Sequence, residues 1–441
     1  MDSIAAIATA PGLGAVGVVK VAGPAARSII QSLNWPLRPR QATLVTLNAD
    51  NGDTIDSGLL IYFPGPNSYT GDDTLEFQGH GGPVVLNQVL QRFLALGARM
   101  ARPGEFSERA FLNDKLDLAQ AEAVADLITA SSAEAAKRAM RSLQGEFSKR
   151  VQALFDAIVH LRIYVEAAID FPEEEIDFLA DGKVAALFDD IDRDLADLRA
   201  NARAGQRFNE GIQIVLVGKP NAGKSSLLNA LSGRDSAIVT PIAGTTRDVL
   251  TEQINLDGLP TEIVDTAGLR ETLDPIEAEG VRRALAALKR ADLVLFLTDA
   301  SDGRAQLNDD LTALLPDQVR PDFIVWNKSD LIAEPLQLGA NELSISASTG
   351  AGLDGLIDAI KERAGITPHE SGFLARARHV DALDRCATAL QAGRAQLDGA
   401  MAGELLAEDL KWAHDCLGEI TGKMSADDLL GEIFSSFCIG K

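Results

Sequence analysis

One short segment constrains the fold of this chain more than any other. Residues 218–225, with the sequence GKPNAGKS, fit the pattern G-x-x-x-x-G-K-[ST]. An apolar run from Gln213 to Val217 precedes the segment and predicts a strand, and Ser226 to Leu231 follows it and predicts a helix. Glycines in such a loop let backbone N–H groups wrap phosphates, while the helix N-terminus adds positive potential. The segment therefore predicts a phosphate-binding loop between a strand and a helix.

The surrounding pattern predicts the fold class and three domains. Apolar runs such as 293–297 and 323–326 alternate with helical segments, which is typical of a doubly wound, mostly parallel sheet. The chain before Lys115 is rich in Gly, Pro and short β-branched runs, which favours a small α+β domain. Leu154, Ile158, Leu161 and Val165 instead have helical spacing. The predicted domains are an N-terminal α+β domain (1–115), a helical domain in two parts (116–208 and 371–441, with a C-terminal Cys-Ile-Gly-Lys tail) and an inserted α/β domain (209–370).

Three further motifs follow predicted strands in the order found in guanine-nucleotide-binding domains. Asp265-Thr266-Ala267-Gly268 suits outer-shell Mg²⁺ binding through Asp265 and γ-phosphate binding through the Gly268 amide. Asn327-Lys328-Ser329-Asp330 ends on a carboxylate that can accept two hydrogen bonds from guanine, but would face an acceptor on adenine. Ser346-Ala347-Ser348 would back the base. Together the motifs predict GTP binding and hydrolysis.

The catalytic apparatus is less determined by the motifs. Lys224 should reach the β- and γ-phosphates, Ser225 should ligate Mg²⁺, and Thr246 is the candidate switch residue that completes the Mg²⁺ shell. Ras-type GTPases place a water-orienting Gln directly after D-x-x-G, where this chain has Leu269. Polar residues that could replace it are Arg270, Glu271, Glu277 and Glu279. Charge stabilisation is open between an arginine, Arg247 or Arg270, and a monovalent cation held by Asn221.

Charge and composition limit the partners. The 441 residues include 41 basic and 64 acidic side chains, giving a net charge of −23, whose field repels RNA. If the protein acts on RNA, a partner is therefore expected to supply many of the contacts that bind the RNA. No apolar run approaches the roughly 20 residues of a membrane span. Three cysteines and the lack of a secretory signal favour the cytoplasm.

Beyond these motifs, the chain resembles the MnmE (TrmE) family of bacterial tRNA modification GTPases. The resemblance extends from one end of the chain to the other rather than being confined to the nucleotide motifs, and it finishes on a specific terminal signature. The segments that carry it are 4–9 (IAAIAT), 63–71 (FPGPNSYTG), 78–83 (QGHGGP), 102–113 (RPGEFSERAFLN) and 437–441 (FCIGK).

The resemblance implies a specific activity and set of partners. It implies a homodimer whose N-terminal domain binds tetrahydrofolate and dimerises, and a heterotetramer with an MnmG-type flavoprotein that supplies FAD. Such proteins install an aminomethyl or carboxymethylaminomethyl group on C5 of the tRNA wobble uridine, with the tRNA held largely through the partner. The implied cofactors are GTP, Mg²⁺, K⁺ and 5-formyl- or methylene-tetrahydrofolate, and no membrane is involved.

The resemblance also assigns residues to roles. Glu277 becomes the catalytic acid, and Mg²⁺ falls to Ser225 and Thr246. Potassium falls to Asn221, Thr240, Ile242 and Thr245, and folate falls to Lys20, Glu76, Lys115 and Lys441. The implied nucleotide-binding residues are Asn221, Ala222, Gly223, Lys224, Ser225, Ser226, Thr240, Pro241, Ile242, Ala243, Gly244, Thr245, Thr246, Asp265, Thr266, Ala267, Gly268, Asn327, Lys328, Ser329, Asp330, Ser346, Ala347 and Ser348.

Two other functions remain alternatives. A ribosome-assembly GTPase would have a similar nucleotide domain, although a basic RNA-binding module would usually lie beside it. A folate-dependent one-carbon transferase would use the nucleotide domain only for regulation. His80 lies in a Gly-rich stretch, which we interpret as a turn residue satisfied by backbone bonds rather than a catalytic base.

Overall fold

The structure, a computed structural model, describes most of the chain as two compact units. The described residues are 2–170, 182–233, 250–265, 285–316, 319–366, 372–399, 403–423 and 427–440. One unit comprises Met1–Ala125, Ser142–Ile191 and Arg385–Lys441, and the other comprises Asp126–Arg141 and Asp192–Asp384. The three-domain bounds expected from the sequence stay a prediction.

A six-stranded sheet forms the centre of the first unit. Its strands are β1 (Ile4–Ile7), β2 (Val16–Ala22), β3 (Thr43–Asn48), β4 (Thr54–Phe63), β5 (Thr74–His80) and β6 (Arg99–Met100), in the spatial order β3-β4-β5-β2-β1-β6. All neighbours pair antiparallel except β1 and β6. The register sets Lys20 opposite Glu76 and Val16 opposite His80.

Alternation along β5 gives this sheet one core face and one polar face. Leu75 and Phe77 are fully buried, and Phe77 stacks on Trp35 at a centroid distance of 5.9 Å. Glu76 and Gln78 alternate with them and are partly exposed. The helices of this region are α1 (Ala25–Ser32), α2 (Pro83–Ala95) and α3 (Glu105–Leu112), and α1 and α2 pack against the strands.

A buried ionic network holds the start of α3. Glu105 is 2% exposed and accepts hydrogen bonds from Arg99 (2.8 Å), from the Arg102 amide (2.8 Å) and from Arg109 (3.3 Å). Asp2 also contacts Arg99 and Arg109. Because each charge has a partner, burial of the carboxylate is tolerated.

The helices between residues 118 and 210 and between residues 377 and 435 confirm the helical region expected from the sequence. They are α4 (Leu118–Thr129), α5 (Ala133–Leu143), α6 (Glu146–Asp170), α7 (Lys183–Glu210), α12 (Ala377–Asp398), α13 (Gly403–Thr421) and α14 (Asp427–Ser435). Helix α6 packs along α13. Its predicted apolar face of Leu154, Ile158, Leu161 and Val165 is buried.

The second unit is built on the doubly wound sheet that the sequence predicts. Its strands are β7 (Ile212–Gly218), β8 (Leu250–Leu256), β9 (Leu259–Asp265), β10 (Leu293–Asp299), β11 (Phe323–Asn327) and β12 (Glu342–Ser344), in the order β12-β11-β10-β7-β9-β8. Every pair is parallel except the β8–β9 hairpin. The associated helices are α8 (Lys224–Ser232), α9 (described over 285–290), α10 (Arg304–Leu314) and α11 (Leu353–Arg363).

Both faces of this sheet are covered, which explains its continuous apolar runs. On β7, Ile214 and Leu216 enter one core with Ile357 of α11, while Val215 and Val217 enter a second core with Trp326. Among the described helices, none is both long enough and apolar enough to span a bilayer.

Candidate functional site

The phosphate loop is shaped by residues with left-handed backbones. Asn221 has φ 67° and Gly223 has φ 95°, and Gly223 caps the N-terminus of α8. A Cβ on Gly223 would lie 2.2 Å from Asn327 Nδ2, so only glycine fits. The Lys224 ammonium is largely buried and donates to the Gly218 (2.8 Å) and Lys219 (3.2 Å) carbonyls. The loop thus collects backbone N–H groups and an ammonium where phosphates would bind.

Asn327 joins three of the predicted motifs. Its Nδ2 donates to the Ala222 carbonyl at 2.9 Å, and its Oδ1 accepts from the Ala347 amide at 3.0 Å. These partners lie 105 and 20 residues away in sequence. The structure therefore assembles the phosphate loop, the Asn327–Asp330 motif and the Ser346–Ser348 motif into one site.

Asp330 is held in place as an ionised acceptor. The Ser346 hydroxyl donates to it at 2.6 Å, and this bond lowers the pKa of Asp330. Ser346 Oγ also lies 3.0 Å from Ser348 Oγ and accepts from the Thr349 amide. A fixed carboxylate at this position can accept the N–H groups on one edge of a guanine ring.

Asp265 ends β9 beside the phosphate loop and is suited to a divalent cation. It is 5% exposed, and its Oδ1 has no hydrogen-bond partner among the described residues. Burial raises the pKa of Asp265, and the positive charge of Lys224 opposes this. A buried carboxylate oxygen without a partner fits a magnesium-bound water. Ser225, in the first turn of α8, would supply a hydroxyl ligand.

Several predicted residues lie outside the described part of the chain, so the structure does not locate them. They are Thr240, Pro241, Ile242, Ala243, Gly244, Thr245, Thr246, Thr266, Ala267, Gly268, Glu277 and Lys441.

Two ion pairs near the phosphate loop were missed by the sequence analysis. Lys328 Nζ lies 2.6 Å from Asp299 Oδ2 at the end of β10, and Lys219 Nζ lies 2.7 Å from Asp310 Oδ1 on α10. Both acids line a cleft with residues 219–222. The position of Asp299 two residues after the apolar run 293–297 was a usable signal, whereas the pairing of Asp310 depends on tertiary structure.

The N-terminal sheet brings together two of the predicted folate-binding residues. Lys20 Nζ lies 3.4 Å from Glu76 Oε1, and both side chains are partly exposed on the polar face. The chain segment just before Lys441 lies close to β1, since a Cβ on Gly440 would approach the Ile7 carbonyl to 2.5 Å. Lys115 is exposed just after α3.

The interpretation of His80 as a backbone-satisfied turn residue is wrong. His80 is the last residue of β5, and its Nδ1 lies 2.7 Å from Oδ1 of the buried Asp56. No sequence pattern points to this pair, because Asp56 lies 24 residues earlier on a different strand.

Two protein-family models match adjacent regions of the chain. A model of the GTP-binding protein TrmE N-terminus matches residues 3–115, and a model of the MnmE helical domain matches residues 118–438. Proteins named tRNA modification GTPase MnmE match along nearly their whole length. The one from Vibrio cholerae is 53% identical and the one from Pseudomonas fluorescens is 55% identical, each covering 100% of this chain and 99% of the relative.

Solved structures overlap smaller parts of the chain. A crystal structure of a single-residue variant of Aquifex aeolicus Era bound to GDP·AlF4⁻ is 28% identical and covers 40% of this chain and 66% of that protein, with a TM-score of 0.28. The G domain of the T. maritima FeoB iron transporter is 27% identical and covers 35% of this chain and 98% of that protein, with a TM-score of 0.26.

Proposed function

The chain belongs to the MnmE family of tRNA modification GTPases, and we propose that it is a potassium-activated GTPase whose hydrolysis cycle depends on dimerisation. With an MnmG-type flavoprotein that carries FAD, it adds an aminomethyl or carboxymethylaminomethyl group to C5 of the tRNA wobble uridine. The carbon comes from 5-formyl- or methylene-tetrahydrofolate. The observation that carries the GTPase part is the Asn327 carboxamide, which hydrogen-bonds to both the phosphate loop and the base motif.

The contacts of Asp330 and Lys224 support the proposed selection of a guanine nucleotide. Asp330, held by Ser346, accepts the guanine N–H groups, while the loop amides and Lys224 bind the phosphates. Ser225 and Thr246 would hold magnesium, which neutralises charge on the β- and γ-phosphate oxygens. Glu277 orients the attacking water in the role that Leu269 cannot fill.

Potassium dependence follows from the need for charge at the phosphates. Asn221, Thr240, Ile242 and Thr245 would hold the ion, which supplies positive charge in the place of an arginine finger. Two unit charges 4 Å apart attract by about 1 kcal/mol in water, but by about 4 kcal/mol at an effective dielectric constant of 20. The ion therefore needs a site closed from water, which two facing nucleotide domains of a homodimer would provide.

Substrate binding is divided between this chain and its partner. Lys20, Glu76, Lys115 and Lys441 are the proposed folate contacts, with the cationic groups suited to the carboxylates of the folate tail. A net charge of −23 favours a tRNA held largely through the flavoprotein. The proposed compartment is the cytoplasm.

The activity is tested by purified components and by tRNA analysis. GTP hydrolysis is expected to rise strongly in potassium and little in sodium, and equal rates would contradict the cation role.

Glu277→Ala should lower turnover by roughly 10²–10⁴-fold without weakening GTP binding, whereas Glu279→Ala serves as the control from the same segment. Nucleosides from a deletion strain, measured by mass spectrometry, should lack the C5-aminomethyl class of uridines.

A further inference from the structure

His80 and Asp56 form a dyad with one buried and one exposed member. Asp56 has a side chain that is 7% exposed, whereas that of His80 is 75% exposed. Asp56 Oδ1 lies 2.7 Å from His80 Nδ1, and Asp56 Oδ2 accepts the His80 amide at 2.8 Å. The Ser57 amide donates to Asp56 Oδ1 at 2.8 Å. The carboxylate is therefore fixed by the backbone of two strands and fixes the imidazole in turn.

The backbone around the dyad is shaped to admit it. A Cβ on Gly79 would lie 2.2 Å from Asp56 Oδ2, so the carboxylate occupies space that glycine leaves open. Burial alone would raise the pKa of Asp56. The hydrogen bonds from His80 and Ser57 outweigh burial and lower this pKa, so the carboxyl group stays ionised. An ionised Asp56 accepts Nδ1–H, so the lone pair of neutral His80 resides on Nε2.

Nε2 is free for chemistry. None of the described residues hydrogen-bonds to it, and the imidazole is mostly in solvent. The flanking segments 12–16, 57–59 and 81–86 contain no charged residue, and the charged group that contacts the ring is Asp56. A buried acid that orients an exposed histidine in this way is the arrangement used for proton transfer at Nε2.

The exposed member of the dyad, His80, lies on the same strand as Glu76, one of the proposed folate contacts. Lys20 and Glu76 pair across β2 and β5, and His80 pairs with Val16 at the end of the same two strands. Four residues along a strand correspond to about 13 Å. A reduced folate whose carboxylate tail binds near Lys20 can therefore extend along β2 and β5 toward His80.

We propose that His80, oriented by Asp56, is a general acid–base group for the folate one-carbon unit; this inference rests on the proposed function. In the step we assign to it, protonated His80 gives its Nε2 proton to folate N10 while the bond between N10 and the one-carbon unit breaks. The bonding pair stays on N10, and the N5 lone pair forms the replacement bond to the same carbon. Neutral His80 then regains a proton from solvent, so neither oxidant nor reductant is needed.

The inference is tested in the reconstituted complex of full-length chain, flavoprotein, tRNA, GTP and methylene-tetrahydrofolate. His80→Gln is expected to lower the rate of uridine modification by roughly 10²–10⁴-fold while 5-formyl-tetrahydrofolate still binds. Asp56→Asn should lower it by about tenfold or more, because an amide does not fix the productive tautomer. His160→Gln, at an exposed histidine of α6, is the matched control and should leave the rate unchanged.

A second readout does not depend on turnover. The chain has five histidines, so ¹⁵N-histidine labelling with His80→Gln as an assignment control identifies the His80 signals by NMR. Nδ1 should appear protonated, and 5-formyl-tetrahydrofolate should shift the Nε2 resonance. Unchanged modification by His80→Gln, or loss of folate binding in that variant, would overturn the inference. If the wild-type complex makes no modified uridine, the proposed function fails. If the chemical shift of His80 Nε2 does not change when the folate is added, this inference is overturned independently of the proposed function.

Discussion

The two six-stranded sheets of this protein build their candidate sites in different ways. In the parallel sheet, the candidate groups lie at the carboxyl ends of strands, since Asp265 is the last residue of β9 and Lys328 directly follows β11. In the antiparallel sheet, the charged groups project from neighbouring strands, as Lys20 and Glu76 do from β2 and β5. The first arrangement concentrates its chemistry in short loops, whereas the second depends on strand register.

This difference determines what a single substitution can do. Asp330, in a short turn without buried residues, would act on the proposed ligand through its own side chain. A residue on the antiparallel sheet, or in the network that holds it, acts through the pairing of distant segments. Substitutions in the nucleotide loops should therefore change specificity at constant fold, while those in the N-terminal network should change stability.

The largest expected effect tests the loop side of this comparison. Asp330→Asn replaces the proposed acceptor of the guanine N–H groups with an amide that would donate to the second carbonyl of xanthine. Preference for GTP over XTP should therefore fall by roughly 10⁴-fold, because a hydrogen-bonding site discriminates strongly against a base whose donors and acceptors do not match its own. Competitive binding of labelled nucleotides measures the ratio. An unchanged preference would show that the base is read elsewhere.

The second-largest expected effect is on the buried ionic network around Glu105 in the N-terminal unit. Glu105→Gln leaves Arg99 and Arg109 without their buried carboxylate, and should lower the free energy of local unfolding around α3 by about 3–5 kcal/mol. Hydrogen exchange of α3 amides measures this value. Glu108→Gln is the matched control, because Glu108 is 22% exposed and pairs with Arg102 at the surface. GTP hydrolysis by folded Glu105→Gln protein should be unaffected; a selective loss would contradict the division drawn here.

The same network predicts a pH dependence. Burial alone would raise the pKa of Glu105. Hydrogen bonds from Arg99, the Arg102 amide and Arg109 outweigh burial and lower this pKa from 4.5 to about 2. Because the folded-state pKa is the lower one, this stabilisation is complete above pH 4.5 and is lost as pH falls toward 2. Protection of α3 amides should decline over that range in the wild type and less steeply in Glu105→Gln.

The smallest effect concerns the turn of the β8–β9 hairpin. The Ser132 hydroxyl donates to the Gly258 carbonyl at 3.0 Å and also accepts the Ala135 amide at the start of α5. Ser132→Ala should cost about 1 kcal/mol in local stability of that hairpin, measured by hydrogen exchange. Thr312→Ala is the control, since that exposed hydroxyl bonds within its own helix. A loss of stability as large as that of Glu105→Gln would contradict the expectation that the N-terminal ionic network is the more sensitive region.

The nucleotide domain was largely predictable because its signals are local. Each motif lies at the end of an apolar strand, so the sequence alone predicts the order of strands and loops, and the structure confirms the α+β and helical regions too. The pairs Lys219–Asp310 and His80–Asp56 were not predictable, since they join strands and helices whose alignment depends on tertiary packing. The grouping of residues 126–141 with 192–384 likewise depends on packing.

The Asn327 carboxamide has a consequence for how affinity is distributed in this protein. One planar group sets the positions of both the Ala222 carbonyl and the Ala347 amide, so the phosphate and base subsites share one reference point. A substitution of Asn327 is therefore expected to disturb the proposed phosphate and base subsites together, whereas a substitution of Asp330 acts on the proposed base contact alone.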